Sequence, residues 1–190
     1  MPALADAVAA LLDRRGLKQV ILVGGSMGGV VAQHLTIRRP QVVSRLLLVA
    51  TGAFAADPAS ALAKADVMAA APWNEETVAP IVAGFFWKAP SAGKVAEYRA
   101  IAMQAAQAAA VEAARSNASL GTLEDLQRIV VPTLIIQGRH DKARTPEHGV
   151  EMQKRLPNAR LEVIEDAGHT PQLEQPDRFH EIAMPFLLAR

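Results

Sequence analysis

A serine flanked by glycines is the first candidate for chemistry in this sequence. Ser26 lies at the centre of Gly24-Gly25-Ser26-Met27-Gly28, which fits the pattern G-x-S-x-G. The pattern follows the apolar run 19–23, which predicts a buried strand, and precedes a stretch of helical character that ends at Pro40. At such a strand-to-helix turn a serine points away from the sheet. Glycines two residues before and after the serine avoid a side-chain collision with that serine. A plain glycine-rich turn and a weak phosphate-binding loop are the other interpretations, although neither G-x-G-x-x-G nor a Lys-Ser/Thr ending is present.

A serine hydroxyl needs a base, because it is a weak nucleophile until a neighbouring group accepts its proton. Of the 5 histidines, His169 follows the last β-branched run, at the edge where the carboxyl ends of strands gather functional groups. His34 lies on the same predicted helix as Ser26, roughly 12 Å away, while His148 and His180 fall at the start of a helix and within one. His169 is therefore the strongest candidate for the base.

An acid must hold the tautomer of that histidine, and Asp141 is the leading candidate. It follows the run 130–136 through Gln137-Gly138-Arg139-His140, again where a predicted strand ends. Asp57 and Asp166 compete with it, although Asp57 is also an obvious helix cap before Pro58. The order Ser26, Asp141, His169 matches one convergent version of the Ser-acid-His triad.

Strands and helices alternate along the chain in a way that would position these residues together. The runs 19–23, 45–50, 130–136 and 160–164 are apolar and β-branched, which favours strands covered by helices on both faces. Between 53 and 120 the sequence is Ala-rich, and breaks at its prolines (Pro58, Pro72, Pro80 and Pro90) predict about four short helices. The pattern predicts an α/β fold, in which a parallel sheet is interrupted by one helical insertion.

Composition limits the function classes. A chain of 190 residues favours one globular domain, and a net charge of +1 gives no field that would favour nucleic acid as a partner. The absence of cysteine excludes thiolate metal sites and cysteine nucleophiles. The apolar stretch 4–12 is interrupted by Asp6 and is too short to span a bilayer, so we expect a cytoplasmic protein without a membrane partner.

The chain resembles the α/β-hydrolase family, in particular its small esterases, lactonases and C–C-bond hydrolases. The resemblance rests on residues 24–29, on Val131-Pro132-Thr133-Leu134 with residues 138–141, and on Gly168-His169 followed by Glu174, Pro176 and Phe179. In that family several strands, a helix and an oxyanion loop precede the helix with which this chain begins. The resemblance therefore implies a truncated hydrolase fold with a roughly four-stranded parallel sheet, built near 19–24, 45–50, 131–137 and 160–164. It assigns 1–52 and 121–190 to the hydrolase core and 53–120 to a helical cap.

The resemblance implies a serine hydrolase that cleaves a small ester, lactone or thioester through an acyl-enzyme. Related enzymes with dehalogenase or epoxide chemistry carry Asp at the position of Ser26, and many carry His where this chain has Gly25. The Met27 amide would be one oxyanion donor, and no metal or other cofactor is implied. Gly25 would leave room for substrate, and the candidate pocket walls from the cap are Met68, Trp73, Phe85, Phe86 and Trp87, for which packing within the cap is an equal interpretation.

Two further expectations follow from the missing strands. The run 19–23 would lie at an apolar sheet edge, which predicts a homo-oligomer, most simply a two-fold dimer. The alternative function is a catalytically silent or fragmentary hydrolase-fold domain that acts in assembly or binding.

Overall fold

A four-stranded parallel sheet forms the centre of the molecule. The computed structural model describes residues 1–119 and 121–189, so Leu120, at the end of the predicted cap, and Arg190 lie outside the described residues. The strands are β1 (Val20–Gly25), β2 (Val43–Val49), β3 (Thr133–Gly138) and β4 (Ala159–Ile164), and they follow chain order across the sheet. All neighbouring pairs are parallel. The sequence prediction of the fold is confirmed, and each strand bound lies within two residues of the expected one.

Helices connect the strands and cover the sheet. In the described residues they are α1 (Pro2–Arg14), α2 (Met27–Arg38), α3 (Pro58–Ala70), α4 (Glu75–Ala83), α5 (Ala92–Met103), α6 (Gln107–Ser119), α7 (Pro146–Arg155), α8 (Pro171–Glu174) and α9 (Pro176–Leu188), with 3-10 turns at Pro40–Val42 and Leu123–Arg128. Every helix of this part of the chain is too short or too polar to cross a membrane.

The two central strands are apolar on both faces because helices pack on both. On one face Leu46, Leu48 and Ile135 pack with Met152 of α7. On the other face, Leu47, Leu134 and Ile136 pack with Ile182 of α9. Burying one such side chain fully contributes about 1.5–3 kcal/mol, so these two layers hold the strand ends, and the loops that follow them, in place.

The interval between β2 and β3 is helical in its described residues, as the prolines predicted, with one difference. Asp57 caps α3 by accepting a hydrogen bond from the Ser60 amide at 3.0 Å, and Pro58 is the first residue of that helix. Pro80, in contrast, lies inside α4 rather than at a break. Asn74 and Thr77 form a reciprocal capping box at the start of this nine-residue helix. Whether α3 to α6 form a separate cap stays a prediction.

The two edges of the sheet differ in chemistry. Among the described residues β1 pairs only with β2, and it exposes Ile21 by 39% and Val23 by 55%. At the opposite edge, β4 carries Arg160 and Glu162, which form an ion pair at 3.6 Å. Charged side chains discourage pairing with another strand, so the β1 edge is the apolar one of the two edges in the described sheet.

Candidate active site

Ser26 occupies a strained turn between β1 and α2. Its backbone has φ 48° and ψ −121°, in a region that residues with a side chain rarely adopt and that costs about 1–3 kcal/mol. Two contacts from the end of β2 hold this conformation. The Ser26 amide donates to the Val49 carbonyl at 2.9 Å, and the Thr51 hydroxyl donates to the Ser26 carbonyl at 2.6 Å. The turn therefore depends on the neighbouring strand.

The glycines around Ser26 differ in what they make possible. A Cβ on Gly24 would lie 2.6 Å from the Gly28 carbonyl oxygen, so a side chain here would collide with α2 and not, as predicted, with Ser26. A Cβ on Gly28 would meet nothing within 4 Å, so the same prediction is wrong on the other side. The second crowded position is Gly29, where a Cβ would lie 2.5 Å from the Thr51 hydroxyl oxygen. Gly29 allows α2 to approach the residue that fixes Ser26.

The structure brings Ser26, His169 and Asp141 into one hydrogen-bonded series. His169 Nε2 lies 2.8 Å from Ser26 Oγ, and His169 Nδ1 lies 2.7 Å from Asp141 Oδ2. The Asp141 side chain is fully buried and that of His169 is 9% exposed. When Nδ1 carries the proton and donates a hydrogen bond to Asp141, Nε2 is free to accept the proton of the serine hydroxyl. This arrangement can activate a serine.

Asp141 is fixed by its own loop. Its Oδ1 accepts the amide N–H groups of Ala143 and Arg144, both at 2.8 Å, which leaves Oδ2 for His169. The Arg144 guanidinium is buried and donates to the Phe54 carbonyl at 3.1 Å. Burial lowers the pKa of Arg144 from its ordinary value, and the nearby Asp141 carboxylate opposes that shift. The Arg144 guanidinium therefore lies near the buried Asp141 carboxylate.

The competing acids and bases lie elsewhere. Asp57 serves as the α3 cap, and Asp166 lies 3.7 Å from the Lys88 ammonium. His148 is buried against the Phe54 ring, and burial lowers its pKa; burial also lowers the pKa of His34 on α2. Within the described residues, His169 is the histidine that hydrogen-bonds to Ser26.

A cavity of about 490 Å³ opens at Ser26 and His169. Gly25 and Phe85, two of the predicted substrate-binding residues, line it. The sequence analysis did not identify the other lining residues, which are Val23, Val49, Tyr98, Thr170, Gln172 and Phe179. Position in the sequence could have indicated two of them, because Val49 ends β2 and Thr170 follows His169; Tyr98, Gln172 and Phe179 lie on helices. The walls are mainly apolar, which suits a small organic group.

Two predicted pocket residues belong to the packing of the helical interval. Met68 does not line the cavity; its carbonyl accepts a hydrogen bond from the Gln107 side chain at 2.9 Å, which ties α3 to α6. Trp73 does not line it either, and its indole N–H donates to the Ala102 carbonyl at 3.3 Å. Neither residue lines this cavity, and the substrate contact predicted for them stays a prediction.

Phe86 and Trp87 also lie outside the cavity lining. Phe86 packs edge-on against Tyr98, with ring centroids 5.9 Å apart. Trp87 stacks on His140 with centroids 3.7 Å apart. Of the three neighbouring residues, Phe85 is the one that lines the cavity.

The start of α2 places a donor near the serine. Met27 is the first residue of that helix, so its amide has no carbonyl four residues back to bond within the helix. The positive end of the helix dipole also favours negative charge at this point. In the described part of the chain, no group of three His, Asp or Glu side chains is placed to hold a metal ion.

A sequence model described as the alpha/beta hydrolase family matches residues 1–182. The chain belongs to the alpha/beta hydrolase family. It is 27% identical over 197 residues to the 2-hydroxy-6-oxo-6-phenylhexa-2,4-dienoate hydrolase of Comamonas testosteroni, covering 98% of this chain and 68% of that protein. It is 29% identical over 182 residues to the 3-oxoadipate enol-lactonase 2 of Acinetobacter baylyi, covering 91% of this chain and 65% of that protein.

Solved structures agree with this α/β-hydrolase assignment. The crystal structure of a hydrolase from Pseudomonas aeruginosa superimposes with a TM-score of 0.89 at 27% identity, covering 97% of this chain and 71% of that one. The chain spans about two thirds of the length of the two curated relatives named above. These relatives are hydrolases, and the chain is an enzyme of the α/β-hydrolase type.

Proposed function

We propose that the chain is a serine hydrolase that cleaves a small ester, lactone or thioester through an acyl-enzyme. The observation that carries the proposal is the hydrogen-bonded series Ser26, His169 and Asp141, with distances of 2.8 and 2.7 Å, opening onto an apolar cavity. The name of the Acinetobacter relative, an enol-lactonase, supports the substrate class. The cavity volume of about 490 Å³ favours a small-molecule acyl substrate.

In the proposed mechanism, Ser26 Oγ attacks the carbonyl carbon while its proton moves to His169 Nε2. The carbonyl π electrons move to oxygen, and the Met27 amide donates a hydrogen bond to the resulting oxyanion. Asp141 stabilises the imidazolium that forms. Collapse of the tetrahedral intermediate breaks the bond to the leaving group, which takes the proton from Nε2. A water molecule then transfers a proton to Nε2 and attacks the acyl carbon. Collapse of this second intermediate breaks the bond to Ser26 Oγ, which takes the proton back from Nε2, and the acid is released.

A fluorophosphonate probe tests the proposal directly. We expect it to label Ser26 in folded protein, since the probe reacts with serines that have an activating base. Peptide mass spectrometry would locate the adduct. Ser26→Ala should show no labelling, and denatured wild-type protein serves as the second control. Folded protein that remains unlabelled would contradict the proposed activity.

A second candidate function is a catalytically silent hydrolase-fold domain that acts in assembly or binding. The open apolar edge of β1 favours it. The same probe separates the two functions, because a silent domain would fold and leave the probe unreacted.

We also propose that a second copy of this chain covers the β1 edge, giving a two-fold dimer. A symmetric partner would offer an equally apolar strand, whereas the charged β4 edge would not match it. The exposed side chains are Ile21 and Val23, because Leu22 packs against the core on the other side of the strand. Pairing two such strands would satisfy the free main-chain groups of each.

The dimer predicts a specific response to charge at the edge. Ile21→Lys should convert the dimer to monomers, because a lysine on an edge strand opposes pairing with another apolar strand. Val67→Lys, at a residue 70% exposed on α3, is the matched control and should leave the dimer intact. Light scattering at low micromolar concentration measures both. A wild-type monomer, or a dimer that survives Ile21→Lys, would refute this interface.

A further inference from the structure

The carboxylate of Glu174, at the end of α8, joins two separate segments of the chain. Its Oε2 accepts the amide N–H groups of Trp87 at 2.8 Å and Lys88 at 3.1 Å. Its Oε1 accepts the Gly168 amide at 2.9 Å, the Thr170 amide at 3.3 Å and the Thr170 hydroxyl at 3.1 Å. One oxygen therefore serves the segment between α4 and α5, and the other serves the loop after β4.

The loop that Glu174 holds carries His169. Gly168 and Thr170, which donate to Oε1, are its two neighbours in the chain. The His169 amide donates to the Phe85 carbonyl at 3.1 Å, and the centroids of the His169 and Phe85 rings lie 5.8 Å apart. The ring that hydrogen-bonds to Ser26 and a wall of the cavity are thus held against each other by main-chain contacts beside Glu174.

The two segments approach so closely that their contact leaves no space for a side chain. A Cβ on Gly168 would lie 2.7 Å from the Trp87 amide nitrogen and 3.2 Å from Glu174 Oε1. Trp87 also stacks on His140, the residue that precedes Asp141. The loops of the acid and of the base therefore both contact the segment that Glu174 anchors.

We propose that Glu174 is a positioning residue for the hydrolysis: it fixes the His169 loop to residues 85–88 and so sets His169 Nε2 against Ser26 Oγ and Phe85 against the substrate. The inference rests on the proposed function. The positioning role requires a carboxylate at residue 174, because both oxygens of Glu174 accept hydrogen bonds and every partner is a donor. A glutamine has one acceptor oxygen, and its amino group would face the donors of one segment.

The test measures how fast Ser26 reacts with a fluorophosphonate in wild-type protein, Glu174→Gln and Glu174→Asp. For Glu174→Gln we expect the second-order rate constant to fall roughly tenfold to a hundredfold while every folded molecule is still labelled at the end point. Glu174→Asp keeps both acceptors on a shorter arm and should be slowed less. Glu181→Gln, at an exposed carboxylate that pairs with Arg178 on the same helix α9, is the matched control and should react at the wild-type rate.

The two readouts separate positioning from folding. A purely structural role would lower the thermal midpoint or the labelled fraction and leave the rate constant unchanged, and that result would overturn the inference. If Glu174→Gln does not fold, Glu174→Asp reacting at the wild-type rate would overturn it as well. Wild-type protein that fails to label would refute the proposed function and the positioning role with it. A labelled wild type with an equally fast Glu174→Gln would refute the positioning role alone.

Discussion

Ser26→Ala and His169→Ala are each expected to abolish hydrolysis of short p-nitrophenyl esters while the protein stays folded. Ser26→Ala removes only the attacking oxygen, and His169→Ala removes the acceptor 2.8 Å from it. Residues of a triad act as a unit, so each loss should be on the order of 10⁴–10⁶ in kcat. Steady-state kinetics with circular dichroism as the measure of folding would test both variants.

The double variant provides the sharper comparison. Because either single change already removes the activated nucleophile, Ser26→Ala combined with His169→Ala should be no slower than the single variants. Ser60→Ala is a suitable control, since its amide rather than its hydroxyl bonds to the Asp57 cap. Wild-type turnover by Ser26→Ala would show that the nucleophile is misassigned.

Asp141→Asn is expected to lower turnover by about four orders of magnitude, the effect of the same exchange in another Ser-His-Asp enzyme. In this structure Oδ1 accepts two amide N–H groups and Oδ2 accepts from His169 Nδ1. An asparagine must place its amino group toward one of these donors. The low-energy placement is toward His169, which forces the proton onto Nε2 and leaves no acceptor for Ser26. Kinetics and thermal melts of the purified variant would measure the effect.

Asp57→Asn is the matched comparison for the acid. Asparagine caps helices about as well as aspartate, and the Asp57 carboxylate bonds to the Ser60 amide at 3.0 Å, so we expect turnover and stability close to wild type. The opposite pattern, with Asp141→Asn mild and Asp57→Asn inactive, would move the acid to the loop after β2.

The sequence was sufficient for the sheet and for Ser26, His169 and Asp141 as candidates, because both depend on short-range patterns. β-branched apolar runs identify buried parallel strands, and the carboxyl ends of parallel strands lie at one edge of the sheet. Any polar residue just after such a run is therefore brought toward the others. His169 and Asp141 are both of this kind, which is why their proximity to Ser26 could be predicted before their contacts were known.

The cavity walls could not be predicted in the same way. The helices between β2 and β3 are rich in alanine, so periodicity does not say which face meets the site. That choice is made by distant contacts, such as the Gln107 amide on the Met68 carbonyl. The crowding at Gly29 likewise depends on Thr51, and the Glu174 carboxylate accepts hydrogen bonds from the distant residues Trp87 and Lys88. Side-chain surroundings of this kind are set by tertiary structure.

The hydrogen bond between His169 and Ser26 joins residues 143 positions apart, whereas the bond between His169 and Asp141 spans 28. Local pairings close small loops and form early in folding, and long-range pairings are the slowest to form. A newly made chain therefore holds its serine without a base until β4 and the loop after it have docked. In the proposed mechanism, hydrolysis therefore requires the finished fold, and the growing chain does not acylate its own serine on the esters around it.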